Sequence, residues 1–440
     1  MDKNRWFEAA AKEGFESFEI YRLLSEERKF TWFEGTLDSY VTSHVLGTSF
    51  RGVIDEKLVN ASSEDTGDEQ MDDILSSMKA QAAMITSDVR ASLAKPQEIT
   101  FAEKKKPASF HPDEIRAFLK KTEEKILAYD ERIFQVGDLE YEEGRERRTI
   151  VNSLGLDVCD TSGVNVIVAS AAAKQGEEIR THYEFEAVED IHTFDLDEFV
   201  RTLCEGVLSR LGADTPASGN VPVIIDRKAL TSLVRAFSPM FCGESVRKGI
   251  SPLCGKMDTK VFSELITVID DPSCLEALQQ WPFDDEGCPT KRKLVVDHGV
   301  LKTILHNTAS ARAMNTESTG NGFRGSYSSP VDVSPRNFWI EPGEKTQEEL
   351  MAEMGSGILI TEFAGLHAGL DHVSGDFSLQ CSGFAVKDGK KAEGLTLFTA
   401  AGNILTLLSG VKAVGSDLKR GLSSTVTPSV WFESLAISGK

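Results

Sequence analysis

The chain has 440 residues, with 48 Lys and Arg against 69 Asp and Glu, for a formal charge of -21. A surface this acidic repels phosphate backbones and argues against a duplex-binding protein, while 40% hydrophobic and 27% charged residues is an ordinary globular composition. The seven cysteines are odd in number and form no CxxC pair, so reduced thiols are expected. No apolar run has the length of a membrane span, and the stretch after Met1 has no hydrophobic signal core, which predicts a cytoplasmic location without membrane partners.

In chain order, Lys3 to Lys12 predicts a short amphipathic helix that stops before Gly14. Phe18 to Ile54 has the alternation of strands, and Met71 to about Leu93 predicts a helix with Ile74, Leu75, Met78 and Ala82 on one side. Residues 96–109, with Lys104, Lys105 and Lys106 between Pro96 and Pro107, predict a linker. Pro112 to Asp130 follows as a helix with proline in its first turn. Val164, Val166 and Val168 alternate up to a turn at 174–177. Beyond it, Ile179, Thr181, Tyr183 and Phe185 oppose Arg180, His182, Glu184 and Glu186, the pattern of a hairpin whose charged face is wet. Asp195 predicts a helix cap, with Glu198 reaching back from the third helical position and a stripe running from Leu196 to Leu211.

The small-residue stretch 213–220 is the predicted domain boundary. It divides an N-terminal region, 1–215 (sub-units about 1–95 and 110–215), from a C-terminal domain, 216–440. In the second part Val221 to Ile225 predicts a strand and Lys228 to Phe241 a helix disturbed by Pro239. Thr346 and Glu349 have capping-box spacing before a helix that Gly355 ends. Short strand-like runs fill most of the rest. The fold class expected is α+β: an N-terminal α/β-type region of helices and antiparallel strands, then a mainly β C-terminal domain.

Residue chemistry alone yields no active site. HExxH, which sets two histidines on one helical face, is absent, as are a GxSxG elbow and a phosphate-binding loop. His367 and His372 lie near Asp371, but Ala368 and the surrounding glycines disfavour a metal-binding helix, leaving at most a weak independent hydrolytic site. Thr319 to Gly325 is glycine-rich and reads as a turn. Asp284-Asp285-Glu286 reads as a solvated acidic turn. Cys242 reads as a buried structural thiol.

An ordered set of segments nevertheless resembles the TldD/PmbA family, also called modulator of DNA gyrase. It comprises Asp284 to Thr290; Gly299 to Lys302 with Asn307, Ala311 and Arg312; Ser318 to Gly322; Glu349 to Ile358; Ser374 to Ser378; and Val414 to Leu418. Asn152 to Leu156 adds a weaker likeness in the N-terminal half. In this family TldD-like chains carry HExxxH and a late cysteine, which bind the metal of a peptidase. Here Val234 and Pro239 stand where histidine ligands would be and Arg235 where the glutamate base would be. Residues 419–425 hold no thiol. Neither valine nor proline offers a lone pair to zinc, and arginine cannot take a proton from metal-bound water.

The resemblance is therefore to a PmbA/TldE-like, non-catalytic subunit. It implies no cofactor in this chain and zinc on a TldD-like partner in a heterodimer. It also implies peptide substrates held extended along a sheet edge, with Gly320, Asn321 and Gly322 as candidate substrate-binding residues. The alternative expectation is a stand-alone homodimer that binds peptides or acts as a scaffold.

Overall fold

A computed structural model describes residues 1–65, 67–86, 89–101 and 107–440. The predicted lysine run 104–106 lies outside the described residues.

The N-terminal half is built on one antiparallel sheet. Its strands are β1 (Ser17–Phe33), β2 (Thr36–Ile54), β3 (Lys57–Ser63), β4 (Ile133–Asn152), β5 (Asp157–Gln175) and β6 (Glu178–Ala187), in spatial order β3-β2-β1-β4-β5-β6. Strands from either side of the predicted linker thus share one sheet through the β1–β4 pairing. Side chains alternate across it. One face carries four helices, α1 (Lys3–Lys12), α2 (Met71–Met84), α3 (Pro112–Leu127) and α4 (Leu196–Leu208). Trp6, Leu75 and Met78 pack on Phe18, Ile20 and Phe50 at one end of that face. Ile115, Leu119, Phe199 and Leu203 pack on Tyr141, Ile167 and Ala169 at the other.

Local chemistry explains the helix ends. His111 and Glu114 form a capping box around Pro112 at the start of α3. Asp195 accepts the Glu198 N–H at 3.0 Å, as a cap should. The Glu198 carboxylate does not reach back, because Arg201 holds it through a forked pair one turn on.

The predicted wet face of β6 is reversed. Arg180, His182, Glu184 and Glu186 are half-buried, whereas Ile179, Tyr183 and Phe185 are 50%, 61% and 53% exposed. The charged row shares its face with the apolar residues that α4 covers. Its charges are neutralised there: Arg210 reaches both His182 and Glu362, and Lys228 reaches Glu184.

The C-terminal half has a mixed second layer. Its elements are β7 (Gly219–Ile225), α5 (Arg227–Phe237), α6 (Gly243–Arg247), β8 (Val268–Asp270), β9 (Lys293–Asp297), β10 (Val300–Leu301), α7 (Thr308–Ala313), β11 (Gly322–Phe323), β12 (Asp332–Val333), β13 (Phe338–Ile340), α8 (Gln347–Met354), β14 (Gly357–Ala364), β15 (Asp376–Lys387), β16 (Lys390–Asn403), α9 (Ile404–Ser409), β17 (Val411–Val414), β18 (Thr425–Val426) and β19 (Val430–Ser438). The order β16-β15-β14-β7-β19, with β16 also paired to β19, closes a barrel. A second sheet runs β10-β9-β8-β13-β18. Val223, Ile225, Leu233, Phe237, Phe241, Val268, Phe338 and Phe398 belong to one apolar core between them. The chain is α+β, with strands dominating its second half. Among the described residues no helix is long and apolar enough to cross a membrane.

Candidate functional site

Helix α5 starts where Asp226 accepts the Lys228 N–H at 2.8 Å. Apolar residues at helical spacing bury Ala229, Leu230, Leu233, Val234 and Phe237. Pro239 has no N–H to continue the ladder, and the chain tightens after Phe237 into a 3-10 turn over Ser238–Phe241. Val234 is part of the apolar core, while Arg235 and Pro239 are exposed. The segment after 419–424 comes alongside the helix: Thr427 donates its N–H to Thr231 Oγ1 at 3.0 Å, and the two hydroxyls meet at 3.2 Å. A buried valine, an exposed proline and a pair of threonine hydroxyls do not make a zinc site, which needs imidazole, thiolate or carboxylate donors converging on a point.

No other sulfur or imidazole among the described residues repairs this centre. Cys242 donates to Val333 O at 3.3 Å, and burial pushes its thiol up to about 12. Asp371 accepts the Val373 and Ser374 N–H groups, which holds it below the usual carboxylate range and closes its loop. His372 instead lies edge-on to Phe237, with ring centres 5.7 Å apart. His306 is buried against Ser310 at 3.2 Å, and desolvation keeps its imidazole below the ordinary value.

Asp284, Glu286 and Cys288 do bring their ligand atoms within 4.8 Å of one another. Every carboxylate oxygen among them already accepts a hydrogen bond. Asp284 takes the N–H groups of Glu286, Cys288 and Gly322, and Glu286 takes Arg51 and the Thr308 N–H. Burial, with Asp284 and Glu286 alongside, drives the Cys288 thiol far up.

This acidic turn is a structural seam and not the solvated loop its composition suggests. Arg51 on β2 lies between Glu19 at 2.7 Å and Glu286 at 2.9 Å, with all three side chains almost inaccessible. Arg148 on β4 reaches Asp285 at 2.7 Å and Phe283 O at 2.8 Å, and stacks on the Phe283 ring. Arg324 donates its backbone N–H to Asp285 at 2.8 Å, and its guanidinium lies over Tyr21. Desolvation next to Glu286 pushes Asp284 up to about 8.

The Gly320-Asn321-Gly322 turn is built into the same seam. Asn321 is 0% exposed and donates to Asp270 at 2.9 Å and Ser334 O at 3.1 Å. Gly320 has φ +71° and lies so close to Pro289 that a Cβ would stand 2.5 Å from its carbonyl oxygen. These residues hold loops together, and Asn321 offers no surface to a ligand from this position.

A separate opening lies over the N-terminal sheet. A cleft of about 510 Å³ runs over β1, β4 and β5, lined by Leu24, Glu26, Arg145, Arg147, Thr161 and Leu278 among others. A smaller space of about 100 Å³ shares Leu278 and Gln279 with it and continues to residues 421–424, just before β18. The cleft thus leads from the N-terminal sheet toward the strand that borders α5. Its lining residues carry none of the metal or nucleophile signatures, so nothing in the sequence marks them.

A barrel-and-sheet C-terminal half joined to a six-stranded N-terminal sheet defines a mixed α+β protein. Residues 218–439 match the PmbA/TldA metallopeptidase C-terminal domain and residues 105–211 its central domain, so the chain belongs to the PmbA/TldD family. Metalloprotease PmbA of Escherichia coli O157:H7 is 24% identical over 76% of this chain and 72% of its own length. A metalloprotease TldD homologue of Buchnera aphidicola is 30% identical over 54% of this chain, and the chain spans only 50% of that relative. Among solved structures, a modulator of a DNA gyrase from Thermotoga maritima has TM-score 0.88 and 31% identity, covering 99% of both chains. TldE from Thermococcus kodakarensis has TM-score 0.88 and 25% identity, covering 99% of this chain and 100% of its own.

Proposed function

We propose that this chain is a PmbA/TldE-like subunit without hydrolytic chemistry of its own, which holds short or unfolded peptides for a zinc-bearing TldD-like partner in a cytoplasmic complex. The observation that carries the reading is α5: Val234, Arg235 and Pro239 cannot ligate a metal or relay a proton, and the segment beside the helix brings up Thr427 in place of a thiol. The likeness in fold to TldE over nearly the whole chain supports the same assignment. The cleft beside β5 has the volume of a small-ligand or peptide site and runs toward residues 421–424. Gly320, Asn321 and Gly322 then act on peptides only through the loops they brace.

The test is metal analysis and peptide cleavage by the purified chain, alone and after co-expression with a TldD-like chain carrying HExxxH. The chain alone is expected to hold no stoichiometric zinc and to cleave nothing, with cleavage appearing in the pair. Tight zinc together with cleavage by the lone chain overturns the proposal.

A further inference from the structure

One stretch of the helix-bearing sheet face carries two arginines, Arg22 and Arg147, that have no ion-pair partner among the described residues. The register places Thr48, Arg22, Thr149 and Cys159 in one row across β2, β1, β4 and β5. Leu24, Arg147 and Thr161 form the next row. Arg22 and Arg147 are therefore diagonal neighbours on one face, about 7–8 Å apart at their backbones.

Among the described residues the Arg22 guanidinium has no hydrogen-bond or ion-pair partner, and its Nε is buried. Arg147 is exposed and lines the cleft, and among the described residues it donates only Nε, to Cys159 Sγ at 3.3 Å. Thr48 is 0% exposed and its hydroxyl has no partner either. The Thr149 hydroxyl makes only a long contact, 3.6 Å, to the same Cys159 sulfur. Of the carboxylates that continue along the face, Asp157 pairs with Lys3 at 2.5 Å, and Glu26, which also lines the cleft, lies 3.4 Å from His44 and makes no ion pair with either arginine among the described residues.

Like charges on neighbouring strands repel, and buried donors without acceptors are costly. In a chain with 69 acidic residues, two arginines without an ion-pair partner among the described residues form a site prepared for an incoming anion. A guanidinium matches the two oxygens of a carboxylate through a fork of N–H donors. We propose that Arg22 and Arg147, assisted by the Thr149 hydroxyl, form a carboxylate-binding subsite beside the cleft. It reads either the carboxyl terminus of a peptide or an acidic side chain within it. This inference rests on the peptide-holding reading above and gives it a ligand preference.

The experiment is calorimetric titration of the full chain at low salt with three N-acetylated alanine-rich peptides: one with a free carboxyl terminus, its C-terminal amide, and the amide carrying one internal Glu. Succinate serves as a free dicarboxylate. At least one acidic peptide is expected to bind about tenfold tighter than the neutral amide, and which of the two does so identifies the source of the carboxylate. Arg147→Gln should level that difference, and Arg147→Lys should restore part of it, with thermal melts showing both variants folded. Arg22→Gln should act in the same direction.

Equal affinity for all three peptides, or a difference that survives Arg147→Gln, overturns the subsite while leaving the peptide-holding reading intact. Succinate binding that depends on Arg147, with no peptide binding, keeps the anion site and removes the peptide-holding reading. No binding of peptide or succinate removes both.

Discussion

Arg51 and Glu286, 235 positions apart in sequence, meet at 2.9 Å in the interior between the two halves of the molecule. Glu19 takes the other side of the same guanidinium. The contact replaces water around three charges with one another, so removing the central cation leaves two buried carboxylates facing each other. Arg51→Met is expected to destabilise the chain by about 3–5 kcal/mol. Chemical denaturation followed by tryptophan fluorescence checks this. Loss of less than about 1 kcal/mol would show that the seam is not held by this residue.

The neighbouring Asp284 sets a pH dependence of the opposite kind from an ordinary ion pair. Its folded-state pKa is raised from 3.8 to about 8, chiefly by burial, so the native chain retains a proton that the unfolded chain releases. Its contribution is complete below the unfolded value and disappears as the pH rises through about 8. Melting temperatures of the native chain minus those of Asp284→Asn, measured from pH 5 to pH 9, should fall with rising pH. A flat difference contradicts the assignment.

Glu184 gives the reverse slope. Although burial opposes it, hydrogen bonds from His182 and Lys228 and their charges hold its carboxyl below the usual range. Its contribution is present above the unfolded carboxylate value and is lost as the pH falls through the lowered one. Glu184→Gln should therefore remove stability at neutral pH and narrow its gap to the native chain on acidification. A gap that widens in acid excludes this pairing as the source.

Gly320 separates backbone strain from steric contact. Both Gly320 and Gly35 have positive φ, +71° and +79°, but a Cβ on Gly35 meets nothing within 4 Å. Gly35→Ala should cost about 1 kcal/mol, and Gly320→Ala appreciably more, because the new methyl runs into Pro289. Paired denaturation curves test the difference, and equal costs would show that the Pro289 loop moves aside freely.

What nearest neighbours decide is legible in the sequence. The capping box at Thr346, the proline in the first turn of α3, the break at Pro239 and the long alternating strands are local arrangements, and they fold as read. Helix α2 is shorter than its apolar pattern and ends at Met84. Asp284 to Glu286 misleads because its partners, Arg51 and Arg148, come from strands of the other half. The charged row of β6 misleads for a similar reason: alternation identifies two faces, but only α4 and Lys228 determine which one is covered. At α5 the identities of Val234, Arg235 and Pro239 are plain in the sequence, and folding adds only their surroundings. The two arginines of the cleft are invisible in the sequence because their significance lies in partners they lack.

The seam also constrains how relatives of this chain exchange parts. Glu19, Arg51 and Arg148 lie before the 213–220 connection, whereas Asp285, Glu286 and Arg324 lie after it. A chimaera joined at that connection takes Arg51 and Arg148 from one parent and their partners Glu286 and Asp285 from the other, so the two fragments interlock only where both parents carry matching sets.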